Sequence, residues 1–119
     1  MRNFLLAICL SVMAPLITCA RDVRLNWQDT ANGTGVTYDA KRANGPCSPT
    51  PTFGKINPAP IPNATKTYLD SDVPFGTLSY VVTAVATVGG QPVESPPSNC
   101  VSVTITPSSP QSLTLVIVP

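Results

Sequence analysis

The side chains able to do chemistry in this 119-residue chain are few: four cysteines, six acids and no histidine. General acid–base or nucleophilic catalysis through an imidazole is therefore excluded, and the remaining residues form no catalytic constellation. Asp70 and Asp72 are the only close carboxylate pair. A calcium site needs six or more oxygen ligands, and Asp70-Ser71-Asp72 reads instead as a turn that reverses the chain. Zinc is disfavoured for want of histidine ligands. No cofactor and no metal are expected, and the chain reads as non-enzymatic. Asn32-Gly33-Thr34 and Asn63-Ala64-Thr65 match glycosylation acceptors, which matter only in a eukaryotic secretory route; both also read as turns.

The cysteines divide by position. Arg2 gives a positive start, residues 4–17 are almost wholly apolar, and Thr18-Cys19-Ala20 offers small residues for cleavage, so residues 1–20 read as a signal peptide. A membrane anchor is the alternative, but the apolar run falls short of the roughly 20 residues a span requires, and Pro15 interrupts it. Leu16-Ile17-Thr18-Cys19 resembles a bacterial lipobox, in which Cys19 is acylated, although Thr18 departs from the usual Gly, Ala or Ser. Membrane contact is expected only through such a lipid anchor. Either route leads to a secreted, periplasmic or outer-envelope product. Cleavage after Ala20 leaves Cys47 and Cys100, for which an oxidising compartment favours a disulfide. The open alternatives are two unpaired thiols or a metal site. A formal net charge of +1 gives no clustered basic footprint, so nucleic acid is not an expected partner.

The elements that position these residues read as strands throughout. Val23, Leu25 and Trp27 alternate with Arg24 and Asn26, a strand with one dry face. Residues 36–42 repeat the pattern, with Tyr38 and Ala40 facing one way and Thr37, Asp39 and Lys41 the other. Residues 43–62 are rich in Pro, Gly, Asn and Ser around Thr52-Phe53-Gly54-Lys55-Ile56, short enough for an edge strand. Residues 65–69 form a further strand. The long run from Leu78 places Leu78, Tyr80, Val82 and Ala84 on one face and Ser79, Val81 and Thr83 on the other. Gly89-Gly90-Gln91 makes a loop, Ser95-Pro96-Pro97-Ser98 a stiff approach, and Val101, Val103 and Ile105 alternate inward on a final strand. About six short strands at this spacing predict an all-β sandwich spanning residues 21–107. Its predicted core is Val23, Leu25, Trp27, Tyr38, Tyr68, Leu78, Tyr80, Val82, Ala84, Val101, Val103 and Ile105. The tyrosines are read as core or core edge, with the Tyr80 hydroxyl near the rim.

Six motifs carry a family resemblance: Leu25-Asn26-Trp27; Thr37-Tyr38-Asp39-Ala40-Lys41-Arg42; Thr67-Tyr68-Leu69-Asp70; Gly76-Thr77; Tyr80-Val81-Val82-Thr83-Ala84-Val85; and Glu94-Ser95-Pro96-Pro97-Ser98-Asn99. Together they resemble a fibronectin type III domain of the kind found in exported bacterial proteins, over residues 23–107. The resemblance implies an immunoglobulin-like β-sandwich that mediates protein contacts or spaces other domains. Two departures stand out. Leu78 occupies the place of the family's tyrosine, so the tyrosine corner and its hydroxyl hydrogen bond, worth about 1 kcal/mol, are missing. Only Arg21 and Asp22 separate the expected cleavage point from the strand ending in Trp27, so the family's first strand has no residues from which to form and one sheet edge is expected to be open. In the family's topology, moreover, the loop holding Cys47 and the start of the last strand lie toward opposite ends. A bridge to Cys100 then needs the Pro-rich segment to climb across the sheet.

Residues 108–119 form a β-prone tail, with Leu113-Thr114-Leu115-Val116-Ile117-Val118 following a Pro-Ser-Ser-Pro hinge. The expectation is that this tail folds back beside the last strand or onto the open edge, replacing the missing strand; a linker, or a strand donated to a neighbour, are the alternatives. The function expected is a non-catalytic exported module that mediates protein–protein contact or adhesion, its partner an unknown protein or cell-surface component. The alternative is an accessory carbohydrate-binding module, which would need rings facing solvent in a row, whereas only 6% of residues are aromatic and most fall in the core by phase.

Overall fold

The computed structural model describes residues 21–119; the signal-peptide reading of residues 1–20, and Cys19 with it, falls outside the described residues. The fold is all-β. Its strands are β1 (Arg21–Asn26), β2 (Thr37–Asn44), β3 (Gly54–Lys55), β4 (Thr67–Val73), β5 (Gly76–Val88), β6 (Gln91–Glu94) and β7 (Val101–Ile105). β1 and β4 pair into a two-stranded sheet, and β3-β2-β5-β6 form a second, with β7 also on β5. Every pairing is antiparallel. The two sheets face one another across a shared core, an arrangement that fits a β-sandwich.

The inward phase holds along most of the chain. Tyr38 and Ala40 are buried on β2, Leu78 and Tyr80 on β5, and Ile105 on β7. Val23, Leu25 and Val103 pack against the cluster of Val73, Leu78, Tyr80 and Ile105. Leu25, Trp27, Tyr68, Val82 and Ala84 pack against that of Tyr38, Ala40 and Ile61. Leu25 thus touches both halves of the core. Trp27 meets Tyr38 edge-on, with ring centroids 5.4 Å apart, a favoured aromatic geometry.

The structure corrects several expectations. β5 is not dry on one side only: Ser79, Val81 and Thr83 are as buried as the residues opposite them. The reason is the segment after β2. The Gly45 N–H donates to the Thr77 carbonyl, the Ser79 hydroxyl donates to the Gly45 carbonyl, and the chain then crosses β5. Cys47 is bridged to Cys100, with Cα atoms 5.9 Å apart. The opposite-ends problem disappears because the last strand is broken into β6 and β7. Ala43 of β2 and Ser102 of β7 both pair with Ser79, so the two cysteines flank one stretch of β5.

The expected turn at Asp70-Ser71-Asp72 is strand. β4 runs on to Val73 and the chain reverses at Pro74-Phe75, because Asp70 is held in the ladder opposite Val23. Val101, predicted as core, is 57% exposed. It shares the phase of Val103 and Ile105 but lies opposite Tyr80, where no strand of the facing sheet covers it. The tail does not fold back. Residues 106–119 form no strand, and Leu113, Leu115, Val116, Ile117 and Val118 are 81–95% exposed. The Ser108 hydroxyl, within the hinge, instead accepts a hydrogen bond of 2.6 Å from Arg21 Nη2.

Candidate functional site

The two sheets are joined differently on their two flanks, and the difference opens a large hollow on one of them. On the β2–β4 flank they are locked. Asp70 is buried, and its Oδ2 accepts from Arg42 Nη1 at 2.8 Å and from the Tyr80 hydroxyl at 2.7 Å. Burial, reinforced by the bond to Asp70, holds the Tyr80 hydroxyl well above its ordinary pKa. Burial works against the Arg42 charge, but the hydrogen bond and attraction of Asp70 outweigh it and raise its pKa. The Tyr80 hydroxyl is therefore not at the rim; it spans the core to the opposite sheet. Asn57, also buried, accepts from the Ala40 N–H at 2.8 Å and donates to the Ala59 carbonyl and Asp39, tying the Pro-rich segment to β2.

On the β1–β7 flank no buried polar side chain bridges the sheets in this way among the described residues. A cleft of about 680 Å³ opens between Leu25 and Trp27 on one side and Val82, Ser98 and Val101 on the other, with Tyr80 within it. A smaller hollow of about 160 Å³ continues past Trp27 toward Tyr38, Ser95 and Pro96. The Trp27 indole N–H is buried without a partner, an unsatisfied donor in a residue that lines both.

The far wall is built by an unusual edge. Pro96 and Pro97 have no N–H, so the ladder to β5 is completed by serine side chains on either side of them. The Ala84 N–H donates to Ser95 Oγ and the Val82 N–H to Ser98 Oγ, both at 2.9 Å. The Ser95 and Ser98 amides return bonds to the Ala84 and Val82 carbonyls. This strap satisfies β5 but its prolines cannot extend a ladder outward.

The near wall is β1, whose outer edge is unpaired among the described residues. The Trp27 N–H donates to the Lys66 carbonyl, which fixes the alternation along the pair. Leu25 and Val23 therefore turn their backbone groups to β4, and Arg24 and Asn26 present N–H and C=O to the open side.

At the end of the cleft Asp29 closes the β1–β2 loop. Its carboxylate accepts from the Ala31 and Asn32 amides, the Asn32 side chain and, at 2.7 Å, the Tyr38 hydroxyl. Those bonds, the Asn32 side chain's first, hold Asp29 well below the usual carboxylate range. Burial and then Asp29 push the Tyr38 phenol up to about 12. On the outer face Glu94 forms an ion pair with Lys41 and accepts from the Thr83 hydroxyl, and these partners lower its pKa.

No cluster of three or more His, Cys, Asp or Glu able to hold a metal occurs among the described residues. Asp70 and Asp72 do not converge: Asp70 is taken up by Arg42 and Tyr80, while the Asp72 amide donates to Asp22. Both glycosylation triplets fall in turns, and Asn63 Nδ2 donates to the Gly33 carbonyl, joining one turn to the other. Sequence reasoning named Trp27, Leu25, Tyr80 and Val82 as core and did not see that one side of that core is open. No protein family, curated protein or solved structure matches this chain.

Proposed function

We propose that this chain is a non-catalytic, exported binding module of fibronectin type III kind, which makes protein–protein contact through the β1–β7 flank. The observation that carries the reading is the cleft: an apolar floor holding Leu25, Trp27, Tyr80 and Val101, bordered by a strand edge with free hydrogen-bonding groups. Such an edge recognises extended polypeptide by adding it to the sheet, the main chain giving affinity and the apolar floor giving selectivity. The six sequence motifs and the Pro-Pro edge support the family assignment. Export is supported by the apolar N-terminal run and by the Cys47–Cys100 bridge, which belongs to an oxidising compartment. Nothing among the described residues favours a sugar platform: Tyr38 and Tyr80 are buried and Trp27 packs edge-on against Tyr38.

The test is a crosslinking pull-down from the cell-envelope fraction with the mature protein, read beside its Val101→Glu variant, with mass determination of the N-terminus. Val101 is exposed, so the new carboxylate leaves the fold intact while charging the cleft. Capture of a defined protein by the wild type and its loss in V101E is the expected result. Equal capture by both would move the contact elsewhere on the molecule.

A further inference from the structure

We infer that the cleft's occupant is residues 113–118 of a second copy, donated as a strand to the outer edge of β1, with two chains exchanging strands reciprocally. This rests on the binding reading above and names its partner.

Two halves of a strand pair are present in the same molecule and unused. β1 offers six residues, Arg21–Asn26, without proline and with the outward groups of Arg24 and Asn26 unpaired among the described residues. The tail offers six, Leu113-Thr114-Leu115-Val116-Ile117-Val118, β-prone, uncharged and almost fully exposed. Each would extend about 20 Å as a strand, so the lengths match. Alternation then turns Leu113, Leu115 and Ile117 to one face, the face needed to fill a floor of Leu25, Trp27, Tyr80 and Val101. Of the two borders of the cleft, the opposite one is capped near Ser98 by Pro96 and Pro97; β1 and the shorter β7 are left as edges unpaired among the described residues, and β1, six residues to five, is the longer acceptor.

The chain's own direction favours a second copy over itself. Arg21 pairs with Val73 and Ile105 with Gly76, and these two partners flank a short turn. β7 therefore ends beside the start of β1, where Arg21 holds Ser108 of the hinge. A tail reversing there could reach its own β1 only in the parallel sense. A tail from another molecule carries no such restriction and can pair antiparallel, the more stable ladder. One six-residue strand docked singly falls well short of the roughly 1,600 Å² of a standard stable interface. Reciprocal exchange doubles the buried surface and closes the assembly with two-fold symmetry, leaving neither a donor tail nor a β1 acceptor edge unused.

The experiment uses residues 21–119, which hold all seven strands and the disulfide. Mass is measured by size exclusion with light scattering over a concentration series. A dimer that dissociates on dilution is expected. Arg24→Pro removes an outward N–H without touching the β1–β4 ladder, and Leu115→Lys with Ile117→Lys disables the donated strand; each alone is expected to give a monomer with the wild-type circular dichroism spectrum. Mixed together, the first still donates and the second still accepts, but only one of the two strands can dock, so no dimer of wild-type strength should return. The inference is overturned by a wild type that stays monomeric at every concentration, by association that persists in R24P or in the double lysine variant, or by a dimer of wild-type strength in their mixture. A monomer that nevertheless captures an envelope protein in a Val101-dependent way overturns strand donation and leaves the binding reading standing. A monomer indifferent to Val101→Glu overturns both.

Discussion

The β2–β4 flank and the β1–β7 flank share β5 and the same core, yet one is sealed with polar groups and the other is left apolar and open. On the sealed flank each buried polar atom has an assigned partner: Asp70 with Arg42 and Tyr80, Asn57 with the Ala40 amide, Ser79 with the Gly45 carbonyl. On the open flank Trp27 keeps an unpartnered indole N–H, Val101 is exposed, and β1 has a bare edge. A buried polar group without a partner carries a penalty of about 1–3 kcal/mol, so a fully paired network fixes one arrangement of the sheets. An apolar cleft fixes none and leaves room for a ligand. The sealed flank is where stability should be concentrated, and the open flank is where it should be nearly indifferent to mutation.

The largest expected effect breaks the strap across β5. Replacing Cys47 and Cys100 by serine frees a loop with a sequence separation of 53 residues. In the chain-entropy account this lowers stability by about 4 kcal/mol. For a domain near 100 residues that corresponds to a fall in Tm of roughly 15–30 °C, read by calorimetry with and without reductant. An unchanged Tm would mean that packing of the Pro-rich segment, and not the bridge, covers Ser79 and Val81.

Next in size is Asp70→Ala. It strands the Tyr80 hydroxyl and the Arg42 guanidinium, whose side chain is 30% exposed and so partly rescued by water. A loss of about 3 kcal/mol is expected in denaturant unfolding, the low end of the range for breaking a buried pair. Adding Arg42→Met and Tyr80→Phe to a D70L background should recover most of it, because apolar replacement of all partners leaves nothing unsatisfied. Failure to recover would place the value of Asp70 in the β1–β4 register instead.

The strap of serines at the border between the flanks should lie in between. Ser98→Ala leaves the Val82 amide without its acceptor. About 1 kcal/mol is expected, since the edge is exposed and water replaces part of the bond. Alkaline pH probes the neighbouring corner. Tyr38 is pushed up to about 12. Because the free phenol ionises near pH 10, the unfolded chain loses this proton first. The contribution is intact below about pH 10 and is lost as pH rises through about 12. Absorbance at 295 nm should show Tyr38 and Tyr80 both ionising late, and Tyr38→Phe should remove its share of the corresponding fall in Tm while Tyr80 keeps the rest.

Much of this architecture was legible because period-two alternation reports burial directly. Tyr38 and Ala40, or Leu78 and Tyr80, could be placed without coordinates. What escaped reading depends on chain crossing, which periodicity does not encode. Ser79 and Thr83 look solvent-facing in sequence and are buried: the Pro-rich segment returns over Ser79, and Glu94 of β6 accepts from the Thr83 hydroxyl. Asp70 carries a turn residue's composition, and only Arg42 and Tyr80, 28 and 10 residues away, convert it into a strand position. Val101 obeys the inward phase of β7 and is exposed because burial needs a facing strand as well as a phase.

The smallest expected effect on stability is the most diagnostic of the comparison. Leu115→Lys with Ile117→Lys places two charges on side chains that are 88% and 95% exposed and touch no strand of their own molecule. Surface changes of this kind shift stability by less than about 0.5 kcal/mol. At concentrations below dimerisation, the unfolding midpoint of this variant should therefore coincide with that of the wild type. At high concentration the two should part, because only the wild type gains the stabilisation that binding confers on a native state, which grows with the logarithm of free partner over Kd. A variant already destabilised in the dilute limit would show that the tail packs on its own domain in solution, and the contrast between a sealed and an open flank would no longer hold.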